Sequence, residues 1–246
     1  MPIFFVSPKC VTPPTISITG DLLIHLRDSL RITMGEILWL GNGQGLRYRA
    51  EITDISKRTV TGHILETIQE LPRRTPRLIL GQSLLKGEKM DWVIQKATEL
   101  GIDEFLPIES RHSVVQLKAE RVEHQLARWR RIALEAAQQS EQWGVMTIVP
   151  PQSLAPLLIN HATNSVTLML AERREGKNLQ TVALPHDVTS SLLVLIGPEG
   201  GWSKEEVEIA EQAGVVPITL GQHILRAETA AIATISILQS RLGNLG

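Results

Sequence analysis

The sequence predicts an α/β protein in two parts, a small N-terminal β-barrel over residues 1–71 and a larger α/β domain over residues 72–246. Three observations support this prediction. Short apolar segments with glycine-rich turns fill the first part, which is typical of a small barrel. Strand-like and helix-like segments alternate in the second part, which is typical of a parallel sheet covered on both faces. Residues 71–77, with two prolines and three arginines, have the composition of a linker.

The composition restricts the class of protein. An apolar fraction of 43% and a charged fraction of 21% over 246 residues are ordinary for a soluble globular enzyme. No apolar run approaches the length of a membrane span, and the N-terminal residues lack the pattern of a secretory signal. The single cysteine, Cys10, excludes an internal disulfide and a cysteine-anchored zinc cluster. We therefore expect a cytoplasmic protein with no membrane partner and no metal.

Charge is distributed unevenly along the chain. The net charge is −1, but residues 1–77 hold 10 Lys and Arg against 7 Asp and Glu, and residues 78–246 hold 15 against 19. A basic first part is compatible with a surface that faces RNA, and equally with ordinary solvated charge. Both interpretations stay open at this point.

In the first part, residues 37–40 form a short apolar strand, which a glycine-rich turn over residues 41–45 follows. Apolar and polar residues then alternate through residues 48–55, and another strand follows at residues 60–65.

The second part contains apolar strand segments between amphipathic helices. The predicted strands cover residues 78–80, 147–149, 166–170, 192–196 and 215–220. The predicted helices cover residues 88–100, 119–139, 203–213 and 227–242, and three of them end at Gly101, Gly214 and Gly243. In the third helix, Ser203 and Glu206 fit a capping box, with Val207, Ala210 and Ala213 facing inward.

The first candidate ligand loop is Ile-Gly-Pro-Glu-Gly-Gly-Trp-Ser at residues 196–203, between a buried strand and a capped helix. Three glycines and a proline give it unusual backbone geometry and little side-chain cover. Ligands of parallel sheets bind beyond the carboxyl ends of the strands, so main-chain groups here can hold a nucleotide-like molecule. It matches neither a Walker loop nor a dinucleotide fingerprint, and an ordinary tight turn is the alternative.

The second candidate loop covers residues 220–230, Leu-Gly-Gln-His-Ile-Leu-Arg-Ala-Glu-Thr-Ala, before a helix rich in alanine. Arg226 can bind a phosphate or carboxylate as a two-pronged donor. The alternative is that Arg226 forms a structural salt bridge with Glu228 or Glu199. His223 is more typical of a plain surface histidine than of a catalyst.

These two loops together resemble the signature of the RsmE family of SPOUT methyltransferases, which methylate N3 of a uridine in 16S ribosomal RNA. The motifs that carry the resemblance are IGPEGGWSKEE and LGQHILRAETAAIATISILQ. Residues 34–52, 85–102 and 113–140 agree as well, so the resemblance spans nearly the whole chain. His223 and Gln142 stand where members of the family usually have arginine. This difference bears on which residues are expected to bind RNA phosphate, and it leaves the expectation for the two donor-binding loops unchanged.

The resemblance implies a PUA-like barrel that binds RNA, followed by a SPOUT domain with a C-terminal deep trefoil knot. It implies S-adenosyl-L-methionine as the methyl donor and a homodimer, with small-subunit ribosomal RNA or the assembled small ribosomal subunit as partner. The residues expected to bind the donor are Leu170, Ile196, Gly197, Gly200, Leu220, Gly221, Ile224 and Leu225. A further donor contact is expected around residues 170–172, and the helices at residues 88–100 and 227–242 are interface candidates.

For catalysis, we expect Arg226 to stabilise the negative charge that develops on the uracil oxygens when the N3 proton is lost. Glu199 or Glu228 is expected to orient Arg226 or to accept a proton. RNA contacts are assigned to Arg47, Arg49, Arg73 and Arg74, with a solvated basic face as the alternative. Two other functions stay open, a SPOUT ribose 2′-O-methyltransferase and a non-catalytic ribosomal RNA-binding factor.

Overall fold

A computed structural model describes residues 3–161, 163, 165–171 and 176–246. Contacts within it divide the chain into two compact units. The first contains the residues up to Pro72 together with residues 137–145, and the second contains residues 73–136 and 146–246.

The first unit is a six-stranded sheet in the order β1-β4-β5-β6-β3-β2. Its strands are β1 (Ile3–Phe5), β2 (Val11–Thr12), β3 (Thr15–Ile18), β4 (Ile37–Gly41), β5 (Leu46–Ile55) and β6 (Val60–Gln69). Strand β1 runs parallel to β4, and the other neighbours are antiparallel. No pairing between β1 and β2 is found in the described residues, so the predicted barrel is open at this seam.

Strand β5 shows why this sheet has one buried face. Tyr48, Ala50 and Ile52 are buried while the residues between them are not, which is the period of two that a half-buried strand requires. Their side chains join a core that also contains residues of the short helix α1 (Gly20–Ile24) and of the π-helical turn that follows it at His25–Ser29. The predicted alternation through this strand is confirmed.

The second unit is a seven-stranded sheet in the order β11-β13-β10-β12-β7-β8-β9, in which every pairing is parallel. Its strands are β7 (Arg77–Ser83), β8 (Glu104–Ile108), β9 (Thr147–Ile148), β10 (Ser165–Leu170), β11 (Lys177–Asn178), β12 (Ser191–Ile196) and β13 (Val216–Thr219). Its helices are α2 (Lys89–Glu99), α3 (Ala119–Gln139), α4 (Leu154–Asn160), α5 (Lys204–Gln212) and α6 (Ala227–Arg241). The last residues of α3 belong with the first unit.

Both faces of this sheet are covered, as the alternation of strands and helices predicts. Helix α2 packs with α6, and α4 packs with α5. Strand β12 is buried along five consecutive residues, which a strand between two helical layers requires. No helix in the described ranges is long and apolar enough to cross a membrane.

The four predicted helices are found within one or two residues of their expected ends, and Gly101, Gly214 and Gly243 adopt positive φ angles beyond three of them. One inward position is wrong. Ala213 is exposed because it is the C-cap residue of α5, after the last turn that faces the core. The sequence reading also missed β8 and α4, which contain Pro107 and Pro156.

The order of the strands near β13 determines where the site forms. Leu170 of β10 and Lys177 of β11 both pair with Ile218, so β13 lies between two strands that are close in the sequence. Because the sheet is parallel, the chain leaves β13, β10 and β12 at the same edge, and the described starts of the three following loops lie side by side there.

Candidate active site

The three loops enclose a cavity of about 760 Å³ within the second unit. This volume lies in the range of pockets that hold a cofactor-sized ligand, roughly 300–1,000 Å³. All eight residues predicted to bind the methyl donor line it: Leu170, Ile196, Gly197, Gly200, Leu220, Gly221, Ile224 and Leu225. The further contact expected at residues 170–172 is described in part, since Leu170 and Ala171 line the cavity and Glu172 lies outside the described residues.

The glycine-rich loop after β12 is held at both ends. The predicted capping box is present, since Ser203 N donates to Glu206 Oε2 at 2.8 Å and Glu206 N donates to Ser203 Oγ at 3.2 Å. Gly201 has a φ of 72°, a conformation that favours glycine. A Cβ on Gly197 would lie 3.1 Å from Trp202 Nε1, so the indole packs directly on the main chain there.

Two side chains attach this loop to neighbouring segments. Trp202 Nε1 donates to the main-chain oxygen of Leu170 at 3.2 Å, which joins the loop to the end of β10. His112 Nδ1 donates to the main-chain oxygen of Gly201 at 3.1 Å. The sequence reading assigned neither contact, because both depend on the order of strands rather than on local spacing.

The loop after β13 forms the opposite wall of the cavity. Gly221 has a φ of 118°, which a side chain rarely tolerates, and its N–H donates to Thr219 Oγ1 at 3.3 Å. The wall carries apolar side chains at Leu220, Ile224 and Leu225 and polar ones at Gln222 and His223, and Ile224 keeps 63% of its surface exposed. An exposed isoleucine on a cavity wall is a surface that an apolar part of a ligand can cover.

The acidic residues of the two loops share one cation. Lys89 Nζ, at the first residue of α2, lies 3.0 Å from Glu199 Oε1 and 3.4 Å from Glu228 Oε2. The alternative in which Arg226 pairs with either glutamate is therefore wrong. Arg226 is the N-cap residue of α6, it is exposed, and within the described part of the chain it forms no ion pair. Lys89 was missed, although it lies in a segment that carries the resemblance.

The electrostatics of this cluster follow from its hydrogen bonds. The bond to Glu199, opposed in part by burial, raises the pKa of Lys89 above its usual value. Burial by itself would raise the pKa of Glu199, but hydrogen bonds from its own main chain and from Lys89 outweigh it and leave the pKa below its usual range. Both groups are therefore held in their charged forms near neutral pH.

None of the three predicted catalytic residues belongs to the cavity lining itself. Arg226, Glu199 and Glu228 each have chain neighbours that do, namely Pro198, Gly200, Leu225 and Ala227. The structure brings Glu199 and Glu228 together through Lys89, and it leaves Arg226 exposed beside the cavity.

The arginines predicted to bind RNA have different surroundings. In the first unit, the guanidinium of Arg47 lies 3.6 Å from the centre of the Trp143 ring and donates to the main-chain oxygen of Glu141. Burial lowers the pKa of Arg47, partly offset by nearby carboxylates. Arg49 forms a 3.3 Å ion pair with Glu66. Both side chains therefore have partners within the protein.

In the second unit, Arg73 donates twice to Asp103, at 2.7 and 2.6 Å. Arg74 is exposed, and no hydrogen bond or ion pair to any described residue is found for it. Across the described ranges, no group of three or more histidine, cysteine, aspartate or glutamate side chains is arranged to hold a metal ion.

Comparison with known proteins agrees with this arrangement. Residues 72–239 match the RNA methyltransferase domain family, and residues 18–65 match the RNA methyltransferase PUA domain family. The chain is 33% identical to ribosomal RNA small subunit methyltransferase E of Bacillus subtilis, over 92% of this chain and 90% of the relative.

Two solved structures are similar over nearly their whole length. Ribosomal RNA small subunit methyltransferase E of Neisseria gonorrhoeae, described as bound to S-adenosyl methionine, is 29% identical with a TM-score of 0.87 over 98% of each chain. A methyltransferase of Legionella pneumophila with bound SAM is 26% identical, with a TM-score of 0.87 over 97% of each chain.

A parallel sheet with a ligand cavity at its carboxyl edge, preceded by a PUA-like domain, defines an RNA methyltransferase. Within that class, the chain belongs to the ribosomal RNA small subunit methyltransferase E family, the RsmE family. The resemblance carried by the two loop motifs is thereby confirmed.

Proposed function

We propose that this chain transfers a methyl group from S-adenosyl-L-methionine to N3 of a uridine in small-subunit ribosomal RNA. The observation that carries the proposal is the cavity formed by the loops after β10, β12 and β13, which all eight expected donor-binding residues line. Membership of the RsmE family and the donor-bound relative from Neisseria gonorrhoeae support it.

The cavity fits the donor in size and in chemistry. The main chain of Gly221 can approach a ligand closely, because, apart from its chain neighbours, no atom of the described residues lies within 4 Å of the place where a Cβ would stand. The main chains of Gly197 and Gly200 also line the cavity, with Trp202 and His112 packed where their Cβ atoms would lie. The apolar side chains of Leu220 and Ile224 offer a surface for an adenine ring. The bound donor supplies an electrophilic methyl group on a sulfonium.

We also propose that the cavity loops belong to a deep trefoil knot. Strand β13 lies between β10 and β11, and the connection between those two strands is only six residues long. At the end of that connection, a Cβ on Gly176 would lie 2.8 Å from the main-chain carbon of Ile218. A glycine there supports a close crossing of the two chain segments.

Arg226 is the residue we assign to charge stabilisation. The N3 proton of uracil is weakly acidic, and its loss places negative charge on the flanking carbonyl oxygens. A guanidinium beside the cavity, without an acidic partner in the described residues, can donate to those oxygens. Alignment of the two substrates within one cavity supplies a further part of the rate acceleration.

Glu199 and Glu228 stay candidates for orientation or proton transfer. The lowered pKa of Glu199 makes it a weaker base than an ordinary glutamate, which favours the orienting role. Because both carboxylates contact Lys89, we infer that any effect they have on Arg226 passes through the position of the loops.

For RNA, we propose that the basic residues named above guide an unpaired or flipped uridine to the cavity, since a paired N3 is blocked. Arg74 is the best candidate for a direct phosphate contact, because it is exposed while Arg47, Arg49 and Arg73 have protein partners. The substrate is small-subunit ribosomal RNA, free or within the assembled subunit.

We further propose a homodimer that uses α2 and α6. Apolar side chains lie on all sides of α6, and Ile232 and Ile237 on it are only partly buried. On α2, Trp92 keeps 42% of its surface exposed. A helix that is apolar all round requires cover, which a second copy of the chain can provide. Light scattering of the purified protein tests this directly, and a monomeric mass at micromolar concentration would contradict it.

The proposed activity is tested with isotope-labelled donor, free 16S ribosomal RNA and assembled small subunits. Isothermal titration with S-adenosylmethionine first measures binding. Digestion of the RNA to nucleosides then locates the methyl group by mass spectrometry, because an N3 methyl leaves with the base and a 2′-O methyl stays with the sugar. Binding with a sugar methyl would favour the ribose methyltransferase, and no donor binding would favour a non-catalytic RNA-binding factor.

A further inference from the structure

We infer that Lys89 is a positioning residue that holds the two cavity loops at a fixed separation. The inference rests on the proposed function, in that the cavity between those loops binds the methyl donor. Its basis is the contact of one ammonium group with Glu199 of the loop after β12 and with Glu228 in the first turn of α6, after the other loop.

Among the ion pairs of the described residues, Lys89 is the only cation that contacts both of these segments. Glu199 and Glu228 are 29 residues apart in the chain and follow different strands. A single Nζ within 3.4 Å of both carboxylates fixes the distance between their loops and ties both to the start of α2. The side chains of Glu228 and Glu199 are 15% and 29% exposed, so solvent screens these pairs only in part.

The position of Lys89 in its helix supports a role outside that helix. It is the first residue of α2, where the helix dipole favours acidic side chains and disfavours a cation. A lysine there therefore does not stabilise α2 through the dipole. The two carboxylates from other segments provide its favourable interactions, and the hydrogen bond to Glu199, together with the negative charge of both glutamates, raises the pKa of the lysine.

Removal of the cation should have a larger effect than loss of two contacts. Without Lys89, two partly buried carboxylates would face each other uncompensated, and their repulsion would separate the loops. Loss of the pairing would also free Glu199 and Glu228 to reach Arg226, which has no acidic partner among the described residues. Lys89 therefore maintains the distance between the cavity walls and keeps Glu199 and Glu228 from pairing with the guanidinium of Arg226.

The experiment measures donor affinity by isothermal titration for Lys89→Met, Lys89→Arg and the charge-free triple variant Lys89→Met, Glu199→Gln, Glu228→Gln. The matched control is Lys96→Met, which removes a lysine on the same helix that is 33% exposed, against 34% for Lys89. Lys96 pairs with Glu99, three residues along the same helix, and so does not tie α2 to either loop. Melting temperatures are recorded for each variant.

We expect Lys89→Met to bind S-adenosylmethionine roughly tenfold more weakly, a loss between those typical of exposed and of buried ion pairs. Lys96→Met should stay within about twofold of the wild type, as a surface pair would. Lys89→Arg should recover most of the affinity. The triple variant should recover part of the donor affinity, because it removes the repulsion between the two carboxylates together with their attraction to the lysine. If Lys89 acted only through packing, the triple variant would recover none.

Unchanged or tighter donor binding by Lys89→Met would overturn the inference, and so would an equal loss in Lys96→Met or no recovery in the triple variant. Hydrogen exchange separates this outcome from failure of the proposed function. Without any donor, amides of residues 197–203 and 220–226 should exchange faster in Lys89→Met and not in Lys96→Met. If the wild type binds no donor, the proposed function is wrong, but the hydrogen-exchange result still shows whether Lys89 holds the two loops in place.

Discussion

Trp202 donates its indole hydrogen to the main-chain oxygen of Leu170, 3.2 Å away, and the same indole packs on Gly197. One side chain therefore joins the glycine-rich loop after β12 to the end of β10, the strand between β12 and β13. The cavity wall is thus continuous across strand ends, at Leu170 and Ile196, that are 26 residues apart in the sequence.

Trp202→Phe tests this connection. The variant keeps an aromatic ring over Gly197 but leaves the oxygen of Leu170 without its donor, so we expect a loss of about 1 kcal/mol in stability. For a chain of this length, that corresponds to a fall of about 2–4 °C in melting temperature. Donor affinity should fall as well. Trp39→Phe, on β4 of the first unit, is the control and should leave donor affinity unchanged.

Arg226→Ala tests charge stabilisation. Because Arg226 does not line the cavity and has no ion pair in the described residues, its removal should leave donor affinity and stability nearly unchanged. Turnover should fall roughly 100- to 1,000-fold, as when a donor to a developing oxyanion is removed. Arg131→Ala, which removes an exposed arginine on α3 that pairs with Glu135, is the control. Wild-type turnover in Arg226→Ala would exclude the residue from the mechanism.

Arg73 and Arg74 should separate structural from RNA-binding roles. Arg74→Ala should weaken RNA binding and lower the slope of log affinity against log salt by about one, without a change in melting temperature. Arg73→Ala, unlike Arg74→Ala, should destabilise the protein by roughly 0.5–1 kcal/mol, because Asp103 loses a bidentate partner. Filter binding between low and moderate salt measures both slopes. Identical salt slopes for Arg74→Ala and the wild type would refute a phosphate contact.

The lowered pKa of Glu199 predicts a dependence of stability on pH. A carboxyl with a folded-state pKa below its unfolded value of about 4.3 contributes stability above that value, and the contribution is lost as the pH falls through the folded pKa. Wild type should therefore exceed Glu199→Gln in melting temperature at about pH 6 and lose that advantage toward about pH 3. Glu208→Gln, which changes an exposed glutamate on α5, is the control variant.

The sequence alone predicted those features that depend on local spacing. The four predicted helices, the glycines that follow three of them and the capping box of Ser203 and Glu206 each follow from residues within a few positions of one another. The alternation of Tyr48, Ala50 and Ile52 on β5 is equally local. These signals were sufficient to predict an α/β fold and the two loops, whereas the PUA-like and SPOUT expectations came from the family resemblance.

Contacts that depend on the order of strands were not predictable in this way. The pairing of β10 with β12 decides that Trp202 meets Leu170, and no spacing in the sequence encodes it. Lys89 was missed for the same reason, since its partners follow two different strands. Strand β8 was missed because Pro107 weakens its local pattern, although the residue is tolerated in the parallel ladder beside Gln82.

The place of β13 between β10 and β11 means that the cavity depends on residues far along the chain from these two strands. Strands β10 and β11 cannot complete their pairing until residues 216–219 are in place between them. Pairing over such sequence distances makes folding slow. A chain that ends before residues 216–219 therefore lacks the strand that carries one wall of the cavity, and we expect such a nascent or shortened copy to bind no donor.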